Sequence, residues 1–205
     1  MTSEERREQR YQRRKAARLK KRQETIGKYD DFERVASLNS LYEAAREASK
    51  GVDWKASVQR YNSLLLFNIS KTRAELLAGK DIRRGFICFD ICERGKLRHI
   101  KSVHFSERVV QKSFCTNIIY PTFTRSLIYD NGASQQGKGT QFATNRLTTH
   151  LRRHFRKYGR EGGILLIDFS DYFGNVAHEP LFEIYRQIFT CLLYTSPSPR
   201  DPKTS

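Results

Sequence analysis

The stretch GGILLIDFSDYFGNVAH, residues 162–178, runs an apolar segment into a carboxylate. Four aliphatic side chains at positions 164–167 predict a buried strand, and Asp168 follows them directly. A buried carboxylate is costly unless it pairs with a cation or binds a metal ion. Hard cations such as Mg²⁺ take carboxylate oxygens and often share them with substrate phosphates. Asp168 is therefore a candidate metal ligand for nucleotidyl transfer, and the ring of Phe173 is expected beyond the strand, near a nucleotide sugar.

The charge balance of the chain points to a polyanionic partner. Among 205 residues, 38 lysines and arginines oppose 22 acidic residues, which gives a formal net charge of +16. Such an excess attracts nucleic acid first and anionic membrane surfaces second. No run of about 18 apolar residues is present, and charge rather than an apolar core follows Met1. The sequence therefore predicts a cytoplasmic chain with no membrane partner, and its four cysteines are interpreted as free thiols.

Apolar residues at helical spacing predict packing helices in the first half of the chain. The first covers residues 31–49. In the second, Asp53 is a candidate N-cap, and Gly79 lies where a C-terminal cap is expected. The apolar stripe of this second helix comprises Trp54, Val58, Tyr61, Leu65 and Ile69. A third apolar helical face leads up to Pro121.

A change of hydrophobic period at Gly85 predicts a β-hairpin. The segments GFICFDI and KLRHIKSVHF flank the turn CERG, with Gly95 in the turn. Lys96 and Arg98 are then near the tip, where a cation can lean over a ligand. Ordinary solvated strand charge is the alternative, and the strand pattern alone favours it.

A glycine-rich loop and a basic helix follow. Gly137 and Gly139 flank Lys138, so this loop could bring backbone N–H groups and a cation close to a phosphate. Its spacing is not that of a Walker loop. The helix is predicted to turn Phe142, Leu147, Leu151 and Phe155 inward. Its outward face carries Arg146, Arg152, Arg153, Arg156 and Lys157, which favours binding to a nucleic-acid backbone over an ordinary exposed helix.

The two ends differ from this globular middle. The N-terminal segment is charged almost all round, and we interpret it as a basic helix or a disordered arm that touches phosphates. A plain solubilising extension is an equal alternative. Residues 191–205 begin with CLLYTSPSPRD, which looks like the translation of a common sequencing-library adapter, so they are set aside as a non-native tail.

Three segments resemble bacterial reverse transcriptases of the retron and group II intron type. DFSDYFGNVAH resembles the first palm carboxylate motif, D-x-x-x-[FY]-F-D-x-I-x-H. ERGKLRHIKSVHFSERVVQ resembles the fingers segment, in which G-K-x-R precedes D-R-V-V-Q. NGASQQGKGTQFATNRL resembles the segment between these two in phage- and prophage-associated members. The ordered set covers residues 54–189 and favours an enzyme of a phage or another mobile element.

The resemblance implies an RNA-directed DNA polymerase that works with Mg²⁺, an RNA template, a DNA primer and deoxynucleoside triphosphates. Asp168 would bind the metal, and the backbone carbonyl of Phe169 would be a second ligand. Phe173 would be the aromatic steric gate that blocks a ribose 2′-OH. His178 matches the closing His of the motif and is expected to cap and pack the next helix, whose start Pro180 supports.

The same resemblance assigns the cations of the fingers. Arg98 and, less directly, Lys96 match residues that hold the incoming triphosphate. Arg108, Gln135 and Lys138 lie in segments that contact the template or shape the nucleotide pocket.

The fold expected is α+β: the fingers and first part of the palm of a right-hand polymerase, with helices, a β-hairpin and a palm strand, and incomplete. Residues 1–28 would be the basic arm, 29–160 the fingers region and 161–190 the start of the palm. Gly174 stands where the family motif usually has a second Asp, which is not a metal ligand. The paired carboxylate of a Y-x-D-D hairpin is expected beyond Thr190, since YDDF at positions 29–32 lacks flanking apolar strands. The chain as written is therefore expected to be inactive.

A second interpretation comes from a different class. The chain could be a basic RNA-binding module of a maturase-like or assembly protein, without polymerisation. Asp168 would then only pair with a cation. A Y-x-D-D hairpin in the uninterrupted gene would favour the enzyme.

Overall fold

The structure, a computed structural model, describes residues 2–170, 172 and 174–189. Five helices precede the hairpin: α1 (Ser3–Tyr29), α2 (Phe32–Ala36), α3 (Leu38–Ser49), α4 (Ala56–Ser63) and α5 (Leu65–Leu77). The antiparallel strands are β1 (Phe86–Glu93) and β2 (Lys96–Val103). The later helices are α6 (Phe105–Phe114), α7 (Tyr120–Phe123), α8 (Thr140–Tyr158) and α9 (His178–Ile188). The described part is thus mixed helical with a two-stranded sheet, which agrees with the predicted α+β class.

The main apolar core joins α2 and α3 to α4, α5 and α6. Its buried members are Ala36, Leu41, Ala44, Ala45, Tyr61, Ile69, Leu76, Val109 and Val110. Alanines at two adjacent positions of α3 leave little side-chain bulk between this helix and its neighbours, so the helices can approach closely. The rings of Tyr61 and Phe105 meet edge to face, with centroids 5.1 Å apart. Burial of these side chains is the main source of stability for the unit.

A second apolar cluster joins the C-terminal end of α1 to α2, α6, α7 and α9. Val35, Ile118 and Phe189 are buried in it, and partly buried side chains of α1, α7 and α9 pack around them. The Ser113 hydroxyl, which is fully buried, donates to the Val35 carbonyl oxygen at 2.8 Å. The two clusters therefore share α2 and α6, and this polar contact links those helices.

Pro121 does not end the helical run that precedes it. A π-helical turn over Cys115–Ile119 continues α6, and the Tyr120 N–H donates to the carbonyl of Cys115. Proline has no N–H, and in a regular helix its ring clashes with the carbonyl four residues earlier. The wider π turn directly before Pro121 is the local change that lets the chain stay helical into α7.

The predicted hairpin is confirmed. β1 and β2 pair in register from Phe86 opposite Val103 to Glu93 opposite Lys96. Arg94 and Gly95 connect them with φ values of 52° and 77°, and two left-handed residues are typical of a type I′ turn.

The hairpin is joined to the helical unit through a buried acid. The Glu107 carboxylate on α6, which is 4% exposed, accepts a 2.8 Å hydrogen bond from the backbone N–H of Arg84. A buried carboxylate requires such a partner. This contact holds the chain just before β1 against the start of α6.

The first predicted helices are present with different boundaries. Residues 31–49 form two helices, because Ser37 adopts an extended conformation and caps α3 through the N–H of Ser40. Asp53 is not an N-cap, since Lys55 precedes α4 and gives no side-chain cap. Trp54 is 70% exposed, so the prediction of a place in the apolar stripe is wrong for it. Gly79, with φ of 64°, follows the end of α5 as predicted.

Two predictions of burial in the second half are wrong for the described structure. On α8, Leu147, Leu151 and Phe155 are exposed rather than turned inward. Residues 161–169 form neither helix nor strand, and the side chains at positions 164–167 are 67% to 90% exposed. A strand needs a neighbour whose N–H and C=O groups complete the ladder, and the two described strands pair only with each other.

The N-terminal segment is a single long helix. Thr2 caps α1: its hydroxyl accepts from the Glu5 N–H at 3.2 Å, and the Glu5 carboxylate accepts from the Thr2 N–H at 2.7 Å. α1 has no buried residue, and it meets the rest of the chain at its C-terminal end, where Ile26 packs against the second cluster. Within the described residues, no helix has the length and apolar character that a membrane span requires.

Candidate nucleic-acid interface and carboxylate

A groove of about 510 Å³ lies between the hairpin and helices α4, α5 and α6. One wall is the hairpin face that carries Ile87, Phe89 and Ser102, and the alternation of side chains along the strands places them on one side. Helices α4 and α5 supply the opposite wall. The volume is in the range of small-ligand and nucleotide sites.

The charged lysine and arginine side chains that line this groove have no acidic neighbour among the described lining residues. Five cations line it: Lys55, Arg60, Lys71, Arg84 and Arg108. No Asp or Glu is among the described residues that line it, and none of the five forms an ion pair with a described residue. Like charges gathered in a cleft repel one another, so an anion that enters it is attracted by all five. Arg108, a predicted template residue, is therefore one of the five cations that line this groove.

The hydroxyl of Tyr61 is buried beside this groove, and no described residue forms a hydrogen bond with it. Burial raises the pKa of the Tyr61 phenol, and the nearby Thr72 hydroxyl and Arg84 charge oppose that increase. The phenol therefore stays neutral, and it adds a polar group but no negative charge to the wall.

The two predicted triphosphate cations lie at the tip of the hairpin. Arg98 is opposite Ile91 in the strand register, on the same face as Ile87 and Phe89. Its Nε is 3.5 Å from a carboxylate oxygen of Glu93, and both side chains are more than half exposed. Exposed pairs of this kind are weak, so a phosphate can displace Glu93 from Arg98. Lys96 starts β2 and is exposed.

The predicted template residues of the glycine-rich loop make contacts within the loop. The Lys138 ammonium donates to the Tyr129 carbonyl oxygen at 2.7 Å and lies 4.9 Å from the centre of the Phe142 ring. The Gln135 side-chain amide donates to the Asn131 carbonyl oxygen at 3.1 Å. In this conformation Lys138 and Gln135 hold the loop against the start of α8, rather than pointing outward at a ligand.

An ion-pair cluster that the sequence did not reveal fixes the other end of the loop. Asp130 accepts from the Arg146 Nε at 2.5 Å and lies 2.6 Å from the His150 Nε2. The hydrogen bond from Arg146, followed by that from His150, lowers the pKa of the Asp130 carboxyl below its ordinary 3.8. The four-residue spacing of Arg146 and His150 on α8 is the signal that could have indicated a shared partner.

This cluster makes a prediction about pH. Because the folded-state pKa of Asp130 is below its unfolded value, the contact stabilises the fold above the unfolded pKa. That contribution is lost as the pH falls through the lower, folded value. A carboxyl ¹³C NMR titration should give a midpoint for Asp130 below 3.8. The midpoint should rise toward 3.8 in Arg146→Gln and stay unchanged in Arg152→Gln; a normal wild-type midpoint would contradict this account.

Asp168, the central residue of the sequence prediction, is exposed. Among the described residues, no hydrogen bond or ion pair engages its carboxylate, and none connects it to Arg98, Lys96 or Lys138. The ring of Phe169 is 71% exposed beside it and lies 6.2 Å, centre to centre, from that of Tyr172. The predicted steric gate, Phe173, lies outside the described residues, as does the predicted tail.

The donor chemistry at this position fits Mg²⁺, but the number of donors does not. The Asp168 carboxylate and the Phe169 carbonyl are hard oxygen ligands, whereas octahedral Mg²⁺ takes six. Within the part of the chain that the structure describes, no three Asp, Glu, His or Cys side chains come together as a metal site. These two residues could hold an ion only with oxygens from water, substrate phosphates and a second carboxylate.

The groove cations are the residues that sequence reasoning missed. Lys55, Arg60, Lys71 and Arg84 come from three separate segments of the chain, and only the fold, which places α4 and α5 across the groove from the hairpin, brings them together. No local pattern predicts that arrangement.

No protein-family model matches the chain, and a search of curated proteins gives no significant match.

Proposed function

We propose that this chain is the N-terminal part of an RNA-directed DNA polymerase that transfers nucleotides by a two-metal mechanism. The observation that carries the proposal is the Asp168 carboxylate, which is exposed and unpaired among the described residues, directly after four apolar residues. A carboxylate left free in this way is available to a metal ion. Mg²⁺ would supply charge neutralisation at the transferring phosphate, with Asp168 and the Phe169 carbonyl as two of its ligands.

The cations that line the groove support the proposal of a nucleic-acid substrate. Its cations suit the phosphates of an RNA template, and the exposed ring of Phe89 gives a base a flat apolar surface on which to stack. Arg98 on the same hairpin face is the proposed contact for the triphosphate of an incoming deoxynucleotide, and Phe173 is the proposed steric gate at its sugar.

The proposal is tested by primer extension. The intact protein, expressed from the gene with its downstream sequence, should extend a DNA primer on an RNA template with Mg²⁺ and deoxynucleotides. The 205-residue chain should extend nothing, because one carboxylate does not hold two ions. Absence of extension by the intact protein, with binding of the template preserved, would leave the RNA-binding module as the function.

The groove makes a separate prediction about affinity. Replacing Arg60 and Arg108 with glutamine should weaken binding of a single-stranded RNA oligonucleotide. The slope of log K against log salt concentration should fall by roughly 1 to 1.5, because two phosphate contacts are lost. Fluorescence anisotropy over a range of salt concentrations measures both quantities.

The matched control removes two charges outside the groove, in Arg73→Gln with Lys80→Gln. Both residues are exposed and neither lines the groove. An equal loss of affinity in the two double variants would show that net charge, and not the groove, determines binding.

A further inference from the structure

Helix α1 distributes its charges unevenly around its axis. It carries eleven lysines and arginines and four glutamates. At 3.6 residues per turn, one face has cations spaced three and four residues apart, here called the arginine stripe: Arg7, Arg10, Arg14, Arg18 and Lys21. The opposite face carries Glu5, Glu8, Gln9, Gln12, Ala16, Leu19 and Gln23, with no cation. The sequence-based view of a segment charged almost all round is corrected in this respect.

The arginine stripe has no partner among the described residues. None of its side chains makes a hydrogen bond, an ion pair or a ring contact there, and all are exposed. On the opposite face, by contrast, the Glu8 carboxylate accepts from the Gln12 amide at 2.6 Å. Among the described residues, α1 meets the rest of the chain only at its C-terminal end, so the whole stripe is accessible to a ligand there.

The spacing of the stripe puts like charges next to one another. Arg10, Arg14 and Arg18 follow at intervals of four residues, and like charges at that spacing destabilise a helix. A polyanion bound along the stripe offsets this repulsion, because it attracts every one of these cations. From Arg7 to Lys21 the helix rises about 21 Å, at 1.5 Å per residue. Over that length a nucleic-acid duplex presents about a dozen phosphates, at one charge per 1.7 Å or so.

Two other partners fit α1 less well. A single strand is usually bound on stacked aromatic rings, and Tyr11 is the one aromatic residue between Arg7 and Lys21. A membrane surface requires an apolar face opposite the cations, where α1 has mainly glutamate and glutamine. A rigid line of cations without base-reading groups suits the backbone of a duplex.

We propose that the arginine stripe of α1 binds the phosphate backbone of a nucleic-acid duplex without reading base sequence. This surface is distinct from the groove and from Asp168, and it needs neither metal nor nucleotide. The arginine stripe would hold a double-stranded region of the nucleic acid while the groove holds a single-stranded region. The chemistry recognised is the paired backbone, which either RNA or DNA can supply.

The test compares two quadruple variants of the 205-residue chain. The stripe variant replaces Arg7, Arg10, Arg14 and Arg18 with glutamine. The flank variant replaces Arg13, Lys15, Lys20 and Arg22 with glutamine, which removes the same charge from the sides of the same helix. Neither set touches the core, and far-UV circular dichroism checks that both variants fold. Binding to a 20-base-pair RNA duplex and to the DNA duplex of equal sequence is measured over a range of salt concentrations, without Mg²⁺.

The stripe variant should lose at least about tenfold more affinity than the flank variant, and its salt slope should fall by roughly 3 to 4. A duplex of scrambled sequence should bind with the same affinity as the original. Comparison of the RNA and DNA duplexes identifies which of the two nucleic acids the stripe prefers. Equal losses in the two variants, no loss in the stripe variant, or stripe-dependent binding to anionic vesicles instead of duplexes would overturn the proposal. The duplex assay contains neither Mg²⁺ nor deoxynucleotides, so its outcome does not depend on whether the intact protein extends primers, and the two proposals can fail separately.

Discussion

Primer extension by the intact protein should fall to background when Asp168 is replaced by asparagine. The asparagine side chain keeps the shape of aspartate but loses the charge that attracts Mg²⁺. Loss of an outer-shell partner of a metal site costs about 10–100-fold, and loss of a direct ligand should cost more. The rate of DNA synthesis on an RNA template, at saturating Mg²⁺, measures the effect.

The control for this prediction is Asp171→Asn, three residues later in the same motif. Asp171 is an acid at a variable position of the pattern, and we assign it no role. The Asp171→Asn protein should extend primers at the wild-type rate. Equal impairment of the two variants, or normal extension by Asp168→Asn, would contradict a metal-binding role for Asp168. Template affinity should be unchanged in both, which separates catalysis from binding.

Replacing Leu41 with alanine should strongly lower the free energy of unfolding. Leu41 lies on α3, is fully buried and belongs to the main core. Removing a buried leucine side chain lowers the free energy of unfolding by about 2–5 kcal/mol, because apolar contacts are lost and a cavity remains. Urea unfolding followed by far-UV circular dichroism gives the value.

Leu38→Ala is the matched control on the same helix. Leu38 is 48% exposed, so its truncation should change the free energy of unfolding by less than about 0.5 kcal/mol. Similar losses from both variants would mean that α3 is not packed as described.

The sequence predicted those elements whose signals are local. The hairpin followed from a change of hydrophobic period and from Gly95, because a two-residue turn needs left-handed backbone. The end of α5 followed from Gly79 for the same conformational reason.

Predictions failed where the answer depends on what packs beside a segment. The apolar run at 164–167 reads as a buried strand, yet no described strand lies beside it to complete a ladder. Leu147, Leu151 and Phe155 keep a helical pattern on α8 but have no described surface to cover them. Hydrophobic periodicity predicts which face of a helix or strand is apolar, but it does not predict which other element packs against that face.

The candidate site also contains residues that local motifs predict and contacts that depend on how the chain folds. Asp168 and Arg98 were predicted from their positions in motifs, and both are exposed in the structure. Lys138 was predicted from its flanking glycines, but its contacts with Tyr129 and Phe142 depend on how the loop folds back. The groove depends on three-dimensional packing alone.

The account as a whole rests on the ion that Asp168 is proposed to hold. The most direct measurement is a crystal structure of the intact protein with Mg²⁺, a primed template and a deoxynucleoside triphosphate. The account predicts an Asp168 carboxylate oxygen at about 2.0–2.1 Å from Mg²⁺, with the nucleotide phosphates sharing the ion. An Asp168 side chain turned away from the nucleotide, or paired with an arginine instead, would contradict it.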